Sequence, residues 1–456
     1  MIGLGASLSI ATEALGAQTA ALEVASNNIS NANTPGYSRQ VVSLSSAALV
    51  QNGTTVDEGV SYQGFTSVRD SILGLAVNAA TSQQGNLAAQ NSLLAQINTA
   101  FSGTSTGIGV SLSTLFSDLS ALSTSPTDPS ARQTVLSDAN ALAGAFHQGA
   151  AALSNASNSA NQQVSSVVAQ VNDLSQQIAA LNGQIAGAEA SGGDGGALTD
   201  QRDQLTTQMA QLIGVSTTQT DGQPTLTTSN GSPLVIGDSA YQLQVTTASD
   251  GTAHVLDGQG NDITNELTGG TIGGAITARD QTIPALSQQL DAIASQFATA
   301  MNAAQATGFD LNGNPGAAMF TVPAVGNAAA GIQVTISSGS QIAASSDGSA
   351  GSGGNVKALL EVQTTNLPSG ANPTDSYANL VGNIGFAGSQ VNSGLAATTL
   401  SLQQLSTQQN SESGVSIDEE TANLIRYQQA YSASARVIST INDIYGTLMN
   451  MSLGEG

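Results

Sequence analysis

Cysteine, tryptophan, lysine and histidine are the scarcest residues of this 456-residue chain. It has no cysteine, no tryptophan and two histidines, His147 and His254. Without cysteine it cannot form disulfides, thiolate metal sites or a cysteine nucleophile. Two histidines far apart in the sequence leave little from which to build a histidine metal site or a general base. We therefore predict no catalytic residue, no cofactor and no metal site, and we do not expect an enzyme.

Basic residues are also scarce: 8 Lys and Arg stand against 31 Asp and Glu, for a net charge of −23. Only 9% of the residues are charged, whereas a soluble domain usually carries about 25%. So few cations cannot neutralise a run of phosphates, which excludes nucleic acid and anionic membrane surfaces as partners. Low charge together with 40% hydrophobic residues also argues against ordinary disorder, which combines high charge with low hydrophobicity.

The usual targeting signals are missing from the sequence. The first basic residue is Arg39, so the N-terminus lacks the positively charged start of a secretory signal peptide. A membrane-spanning helix needs about 18 or more apolar residues in succession, and the sequence shows no such run. We predict a chain without a cleaved signal peptide that is cytosolic or exported by another route.

Both ends of the chain instead predict long helices with a seven-residue apolar repeat. The first helix spans about residues 4–30, and its repeat consists of Leu8, Leu15, Leu22 and Ile29. The last begins at a capping box, Ser416 to Glu419, and its stripe includes Leu424, Tyr431, Ile438 and Tyr445. An isolated helix with such a stripe is marginally stable and needs a partner. We therefore predict that the two ends pair through these eight residues.

The middle of the chain predicts helices, then strands, then helices. An unbroken 3–4 alternation of apolar residues runs from Val164 to Ile185, and a shorter return helix at about 198–213 predicts a helical hairpin. At Val215 the composition changes to Thr, Gly and Asp with turns such as Asp221–Gly222 and Asp250–Gly251, which predicts a β-rich insert at 215–274. The predicted fold is mainly α with an inserted β domain, in an elongated molecule.

Two motifs add a family resemblance. The run from Asn27 to Gln40 resembles the N-terminal signature of bacterial flagellar rod, hook and hook-associated proteins. The run from 414 to 438, with 125–132, 200–205 and 308–313 in the expected order, resembles the hook–filament junction members of that axial family. The residues that carry the two terminal motifs are Asn28, Asn33, Thr34, Pro35, Gly36, Tyr37, Arg39, Gln40, Arg426, Gln428 and Arg436.

The resemblance implies a structural subunit of the bacterial flagellum, outside the cell. Such a subunit is exported unfolded by the flagellar type III apparatus and self-assembles on the hook tip as a ring or helical layer of copies. Hook protein lies below it, a second junction protein and flagellin lie above, and an export chaperone binds the C-terminal helix.

The resemblance also implies three domains. The terminal helices pair as a coiled coil in D0, at 1–66 and 411–456. The helical bundle D1 comprises 67–214 and 275–410, with a small β portion near 307–375. The β-rich D2 is the insert at 215–274.

Two alternatives remain open. Flagellin or a hook or rod subunit shares the axial architecture, but the long helical D1 disfavours a rod subunit and the 37–40 motif is not typical of flagellin. A secreted adhesin or surface hydrolase would explain the Ser-, Thr- and Gly-rich insert, but its aspartates fall mostly in turn dipeptides. Asp310, Asn312 and Asn314 imitate the start of a calcium loop, yet Pro315 occupies the required glycine position, which predicts a plain turn.

Overall fold

The computed structural model describes residues 2–51, 54–102, 107–191, 193, 195–220, 223–324 and 326–453. The predicted turn at Asp221–Gly222 therefore lies outside the described residues. The N-terminal half consists of α1 (Ile2–Asn31), β1 (Gln40–Gln51), β2 (Thr54–Ser67), α2 (Ser71–Phe101), α3 (Ile108–Thr124), α4 (Pro129–Ala190) and α5 (Gly196–Leu212).

A β-rich segment and four further helices of eight residues or more complete the described chain. The segment contains β3 (Val215–Thr220), β4 (Gln223–Thr228), β5 (Pro233–Ile236), β6 (Ser239–Ala240), β7 (Gln244–Thr247) and β8 (Ala253–Leu256). The remaining elements are α6 (Gly270–Thr277), α7 (Ile283–Ala306), β9 (Phe320–Thr321), α8 (Ala328–Gly331), β10 (Gln333–Val334), α9 (Val356–Glu361), α10 (Pro373–Ser413) and α11 (Ile417–Leu453). The prediction of a mainly helical fold with inserted strands is confirmed.

Helix α4 connects the two hydrophobic cores of the molecule. It begins where the Asp128 carboxylate caps it by accepting from Ser130 N (2.8 Å) and Pro129 takes the first helical position, both favourable at a helix start. Its first half packs with α3, α7 and α9 around the edge-to-face rings of Phe116, Phe297 and Phe320. In its second half, the apolar stripe that begins at Val164 forms part of the other core.

The β-rich segment completes this second core. Strands β3 to β6 form one antiparallel sheet and β7 pairs with β8. Leu226, Val235 and Val255 are buried in the same cluster as α4 and Ile272 of α6. The predicted insert thus packs directly on the helices, and its boundary as a separate domain D2 remains a prediction.

Two segments differ from the sequence prediction in detail. The second helical part of D1, expected from 275, begins with α6 and α7, which a π-helical turn, Ala278–Thr282, separates. Pro284 has no N–H to donate to the carbonyl four residues before it, which accounts for the widened turn. In the β portion expected near 307–375, the alternation of Ile332, Val334 and Ile336 is typical of a strand, but β10 has only two residues, paired with β9.

The chain ends return to one another. Strands β1 and β2 form a long antiparallel hairpin that lies on α1, and α10 runs along α2 before α11 packs on α1. At the start of α11, Glu419 N–H donates to Ser416 Oγ (3.4 Å), and three acidic residues occupy the first turn, where the helix dipole favours them. None of the helices within the described ranges is apolar over a sufficient length to cross a membrane.

Candidate functional site: the terminal helices and their joint

The terminal helix pair, α1 with α11, is antiparallel. A Cβ built on Gly5, near the start of α1, would lie 3.9 Å from the Tyr445 hydroxyl, near the end of α11. At the opposite end, just after α1, Arg39 contacts the first turn of α11. The two chain ends therefore lie side by side over most of their length.

The predicted pairing residues of these helices are mostly half-buried, whereas the positions that are almost fully buried carry mainly small side chains. Leu8, Leu15, Leu22 and Ile29 are half-buried, as are Leu424, Ile438 and Tyr445, while Tyr431 is 38% exposed. The most buried apolar positions of the two helices are Ala11, Ala17, Ala21, Val24, Ala25 and Ile441. Alanine at these positions lets neighbouring backbones approach closely, which a search for large apolar residues overlooks.

A buried asparagine holds the turn that follows α1. Asn28 is fully buried, and its Nδ2 donates to the Gln40 carbonyl (2.8 Å). Its Oδ1 accepts from Gln40 N (2.9 Å) and from the Tyr37 hydroxyl (2.9 Å). The Asn28 amide thus bonds the N–H and the carbonyl of Gln40 as a neighbouring β-strand would. This pairing fixes the point at which the chain leaves α1.

The Pro35–Gly36 turn rests on α5. Gln204 Nε2 donates to the Pro35 carbonyl (2.6 Å). Gly36 has φ +76°, and a Cβ at that position would collide with the Gln204 side chain. Glycine is needed here for two reasons, since other residues rarely adopt this φ and the approach to α5 leaves no room. Asn33 and Thr34 are exposed at the tip of the turn.

Asp200 of α5 binds the next residues of the motif. Its carboxylate accepts from Ser38 N (3.0 Å) and Ser38 Oγ (2.7 Å), and from Arg69 Nη2 (2.8 Å). Arg69 Nη2 also donates to the Gly196 carbonyl (2.6 Å). Since Asp200 is buried, these donors replace the water that a carboxylate otherwise requires. The sequence marks Asp200 only as part of the 200–205 run of the family resemblance and does not connect it to the N-terminal motif.

Arg39 connects the same turn to α11. Its Nε lies 2.8 Å from Oε1 of Glu420, a buried residue, and its Nη1 lies 3.7 Å from Glu419 Oε2. Its backbone N–H donates to the Ser413 carbonyl at the end of α10 (2.8 Å). Glu420 interrupts the apolar stripe of α11 in the sequence, and this ion pair explains why. We call residues 28–40 and Arg69, with their partners on α5 and α11, the joint.

The other motif residues lie away from the joint. Arg426, Gln428 and Arg436 are exposed on α11. Arg426 contacts its own helix, donating to Asn423 Oδ1 (2.8 Å) and lying 5.4 Å above the centre of the Tyr427 ring. The motif therefore comprises a buried part that shapes the joint and an exposed part available to another molecule.

Titratable groups elsewhere form structural contacts. Across the described part of the chain, no three His, Asp or Glu side chains converge as a metal site. Asp310 accepts from Asn312 N (2.8 Å) and Asn314 N (2.9 Å), which forms a turn. Burial beside Asp118 raises the pKa of Asp138 to about 6.

The β-rich segment contains one further pair. His254 Nδ1 lies 2.6 Å from Asp262 Oδ2. The pKa of Asp262 is lowered to about 2, mainly by a hydrogen bond from the Thr264 hydroxyl and further by the Thr264 backbone N–H and by His254. These contacts keep the carboxylate ionised and stabilise the loop that follows β8.

Comparison with known proteins assigns this arrangement to a family. Residues 94–320 match the flagellar hook-associated protein FlgK helical domain. Residues 8–37 match the flagella basal body rod protein family, and residues 408–451 match the C-terminal family of the flagellar basal body rod proteins FlgEFG. The two rod-family matches cover most of the terminal helix pair, and the joint lies where the N-terminal one ends.

Full-length relatives agree with these matches. Flagellar hook-associated protein 1 of Salmonella typhimurium is 29% identical, with 97% of this chain and 99% of the relative covered. Those of Escherichia coli and Bacillus subtilis are 29% and 28% identical, with at least 97% of either chain covered. The flagellar hook junction protein FlgK from Burkholderia pseudomallei has the same fold, with a TM-score of 0.67 at 22% identity over 74% of this chain and all of that one.

The paired terminal helices and both terminal matches define a flagellar axial protein. Within that class, the chain is similar over nearly its whole length to flagellar hook-associated protein 1 of several bacteria. It is a structural component of the bacterial flagellum, and the relatives that it matches are structural proteins without enzymatic activity.

Proposed function

We propose that the chain is the structural subunit of the junction between hook and filament. It self-assembles on the hook tip as a ring or helical layer, with hook protein below and a second junction protein and flagellin above. The observation that carries this proposal is the exposed surface of α11, along which Ile425, Val437 and Ile444 are 50%, 48% and 42% exposed. Large apolar side chains exposed at several levels of one helix are typical of a surface that another molecule covers.

We further propose that the subunit reaches this position through the flagellar type III export apparatus. A chain without cysteine cannot be locked by disulfides before it is threaded through a channel. The same apolar residues of α11 would be exposed to solvent between synthesis and export. An export chaperone bound to the C-terminal helix would shield them. Folding and assembly are then coupled, since the outer face of the terminal pair is covered in the assembled layer.

The domain division proposed from the sequence gives these parts separate roles. D0 (1–66 and 411–456) supplies the contacts between copies through the terminal helix pair. D1 (67–214 and 275–410) supports it from the other side of the joint, and D2 (215–274) stays attached to D1 through the shared core. The eight heptad residues position α1 against α11, and the buried motif residues set the direction in which the pair leaves D1.

A deletion strain tests the junction role. Cells that lack the gene should grow hooks without filaments and release flagellin into the medium, and the intact gene should restore filaments. A gene truncated after Val415 should not restore them, because α11 is then absent. Filaments on the deletion strain, or on cells with the truncated chain, would contradict the proposal.

Point variants make the same test without shortening the chain. The double substitution Ile425→Ser and Ile444→Ser should reduce filament number while leaving the circular dichroism of the purified chain unchanged. Val110 and Tyr241 are exposed apolar residues on α3 and after β6, so Val110→Ser with Tyr241→Ser is the matched control. Equal filament numbers for both double variants would show that the exposed surface of α11 is not the assembly surface.

A further inference from the structure

Four elements of the chain pack on one another and form what we call the terminal unit: α1, β1, β2 and α11. The two helices pair, and the hairpin lies on α1. The rest of the described chain, which we call the body, contains both hydrophobic cores, and neither core includes a residue of the terminal unit within the described ranges. Burial of apolar surface is the main force that joins packed elements. The two cores that hold the body together therefore do not hold the terminal unit against it.

The chain passes between the terminal unit and the body twice, at residues 68–70 and at residues 414–416. The Arg39 backbone connects these two crossings. Its N–H donates to the Ser413 carbonyl (2.8 Å), and its carbonyl accepts from Val68 N (2.8 Å). Both crossings are short and lie between regular elements, where changes in φ and ψ let one part of a protein turn on another. Because the crossings meet at Arg39, they define one pivot.

Beside the pivot, two neighbouring side chains of α5 hold the terminal unit. The Asp200 carboxylate accepts from the N–H (3.0 Å) and the hydroxyl (2.7 Å) of Ser38. One turn further along α5, Gln204 Nε2 donates to the Pro35 carbonyl (2.6 Å). Water can replace hydrogen bonds of this kind, so the net stabilisation from each is small. We call these contacts of Ser38 and Pro35 with α5 the latch.

The charges of the joint stay paired when the latch opens. Arg69 lies in the first crossing and donates from Nη2 to the Asp200 carboxylate (2.8 Å), so this buried carboxylate keeps a cationic partner after Ser38 leaves. The ion pair of Arg39 with Glu420 lies inside the terminal unit and moves with it. An unpaired buried charge would oppose opening strongly, and opening the latch leaves neither carboxylate in that state.

The β-rich segment is attached to the body in a different way. Part of it is buried in the core along α4. Three side chains of α4 also hydrogen-bond to its backbone, namely Asn161, Asn172 and Asn182. Moving this segment would expose buried apolar surface in addition to breaking hydrogen bonds. We therefore expect motion at the joint and none between the β-rich segment and α4.

We propose that the terminal unit turns as one piece about the pivot at Arg39, and that the latch holds it in the orientation that the structure shows. Opening the latch separates Ser38 and Pro35 from α5 and leaves the packing inside the terminal unit intact. The inference concerns a motion of the single chain. It goes beyond the proposed function and does not depend on it.

Pulsed electron paramagnetic resonance on the purified full chain measures this motion. The chain has no cysteine of its own, so spin labels attach only at introduced cysteines. Ser9 of α1 and Ser154 of α4 are exposed, and Ser9→Cys with Ser154→Cys places one label on the terminal unit and one on the body. At the helical rise, Ser9 lies about 28 Å along α1 from Asn28, so a turn of about 20° would move its label by about 10 Å.

Two variants open the latch to different degrees. Asp200→Ala with Gln204→Ala removes both side chains of α5 that hold the terminal unit, and should at least double the width of the distance distribution between the two labels. Ser38→Ala with Gln204→Ala keeps the ion pair of Asp200 with Arg69, and should broaden the distribution less. The second variant decides the matter if circular dichroism shows that the first does not fold.

The controls separate the proposed motion from a general loosening of the chain. Asp173 and Gln177 are exposed on α4 with the same residue types and spacing as the latch pair, and Asp173→Ala with Gln177→Ala should leave the distribution unchanged. Labels at Ser154→Cys and Ser239→Cys, the latter exposed in the β-rich segment, should give a narrow distribution in every variant.

Three results would overturn the proposal. The first is a distribution between Ser9 and Ser154 that keeps its width when the latch residues are replaced. The second is equal broadening from the control substitutions on α4. The third is equal broadening between Ser154 and Ser239, which would show that the whole chain is loosened. Since these distances are measured in the purified chain, they do not depend on whether the gene restores filaments.

Discussion

Replacing Asn28 with alanine should destabilise the joint by about 2–4 kcal/mol. The substitution removes three hydrogen bonds of 2.8 to 2.9 Å, made by a side chain that is fully buried. An intramolecular hydrogen bond contributes about 0.5–1.5 kcal/mol net, and a buried partner left unpaired adds to the loss. The substitution leaves both backbone groups of Gln40 without their Asn28 partner. We therefore expect a free-energy loss above the minimum for three hydrogen bonds.

Asn27→Ala provides a matched control. Asn27 precedes Asn28 on α1 and is exposed, so the change in helix propensity is the same for both substitutions. Only Asn28→Ala removes the contacts with residues 37–40. The difference between the two variants therefore measures the joint.

Hydrogen exchange at the Gln40 amide is the appropriate measurement, because this N–H donates to Asn28 Oδ1. If exchange requires the joint to open, a loss of about 2–4 kcal/mol accelerates it by about 30- to 1,000-fold in Asn28→Ala. The rate in Asn27→Ala should stay close to that of the unaltered chain. Equal rates in both variants would refute the role given to Asn28.

Three further substitutions test other parts of the structure. Gly36→Ala should cost about 1–3 kcal/mol from strain at positive φ, measured by urea unfolding. Arg39→Gln should cost about 1.5–3 kcal/mol by leaving the buried Glu420 carboxylate without its charged partner, and adding Glu420→Gln should recover part of that loss in a double-mutant cycle. Asp138 has a pKa raised to about 6 by burial and by Asp118, so the folded state binds the proton more tightly and stability should fall as the pH rises from about 4 to 6. Asp138→Asn should remove that decline and be more stable than the unaltered chain at pH 7; parallel pH profiles for the two chains would contradict this.

The sequence predicted the helices well, because their apolar repeats extend over many turns. The stripe from Val164 to Ile185 is largely buried along α4, and the heptads at both ends mark the pair α1 and α11. The buried centre of that pair was less predictable. Alanine is common throughout this chain, so Ala17 and Ala21 do not stand out in the sequence, although they are among its most buried positions.

The contacts within the joint could not be predicted from the sequence, for a different reason. Ser38 and Asp200 lie 162 residues apart, and no periodic pattern relates a turn to a distant helix. The motif indicated that residues 28–40 matter, and the 200–205 run was part of the family resemblance, but only the folded chain brings them together. Glu420 gave the best available clue, since a charge inside an apolar stripe requires a partner.

Helix α4 has a mechanical consequence. Its 62 residues extend for about 93 Å, and both cores are built on it without a break, from Val135 to Ala156 and from Ala160 to Ala179. Bending the molecule between the cores would require bending this helix and separating the apolar side chains packed along it. The part of the molecule that is built on α4 should therefore resist bending under torque. Strain from a rotating flagellum should concentrate at the hydrogen-bonded turn between residues 28 and 40.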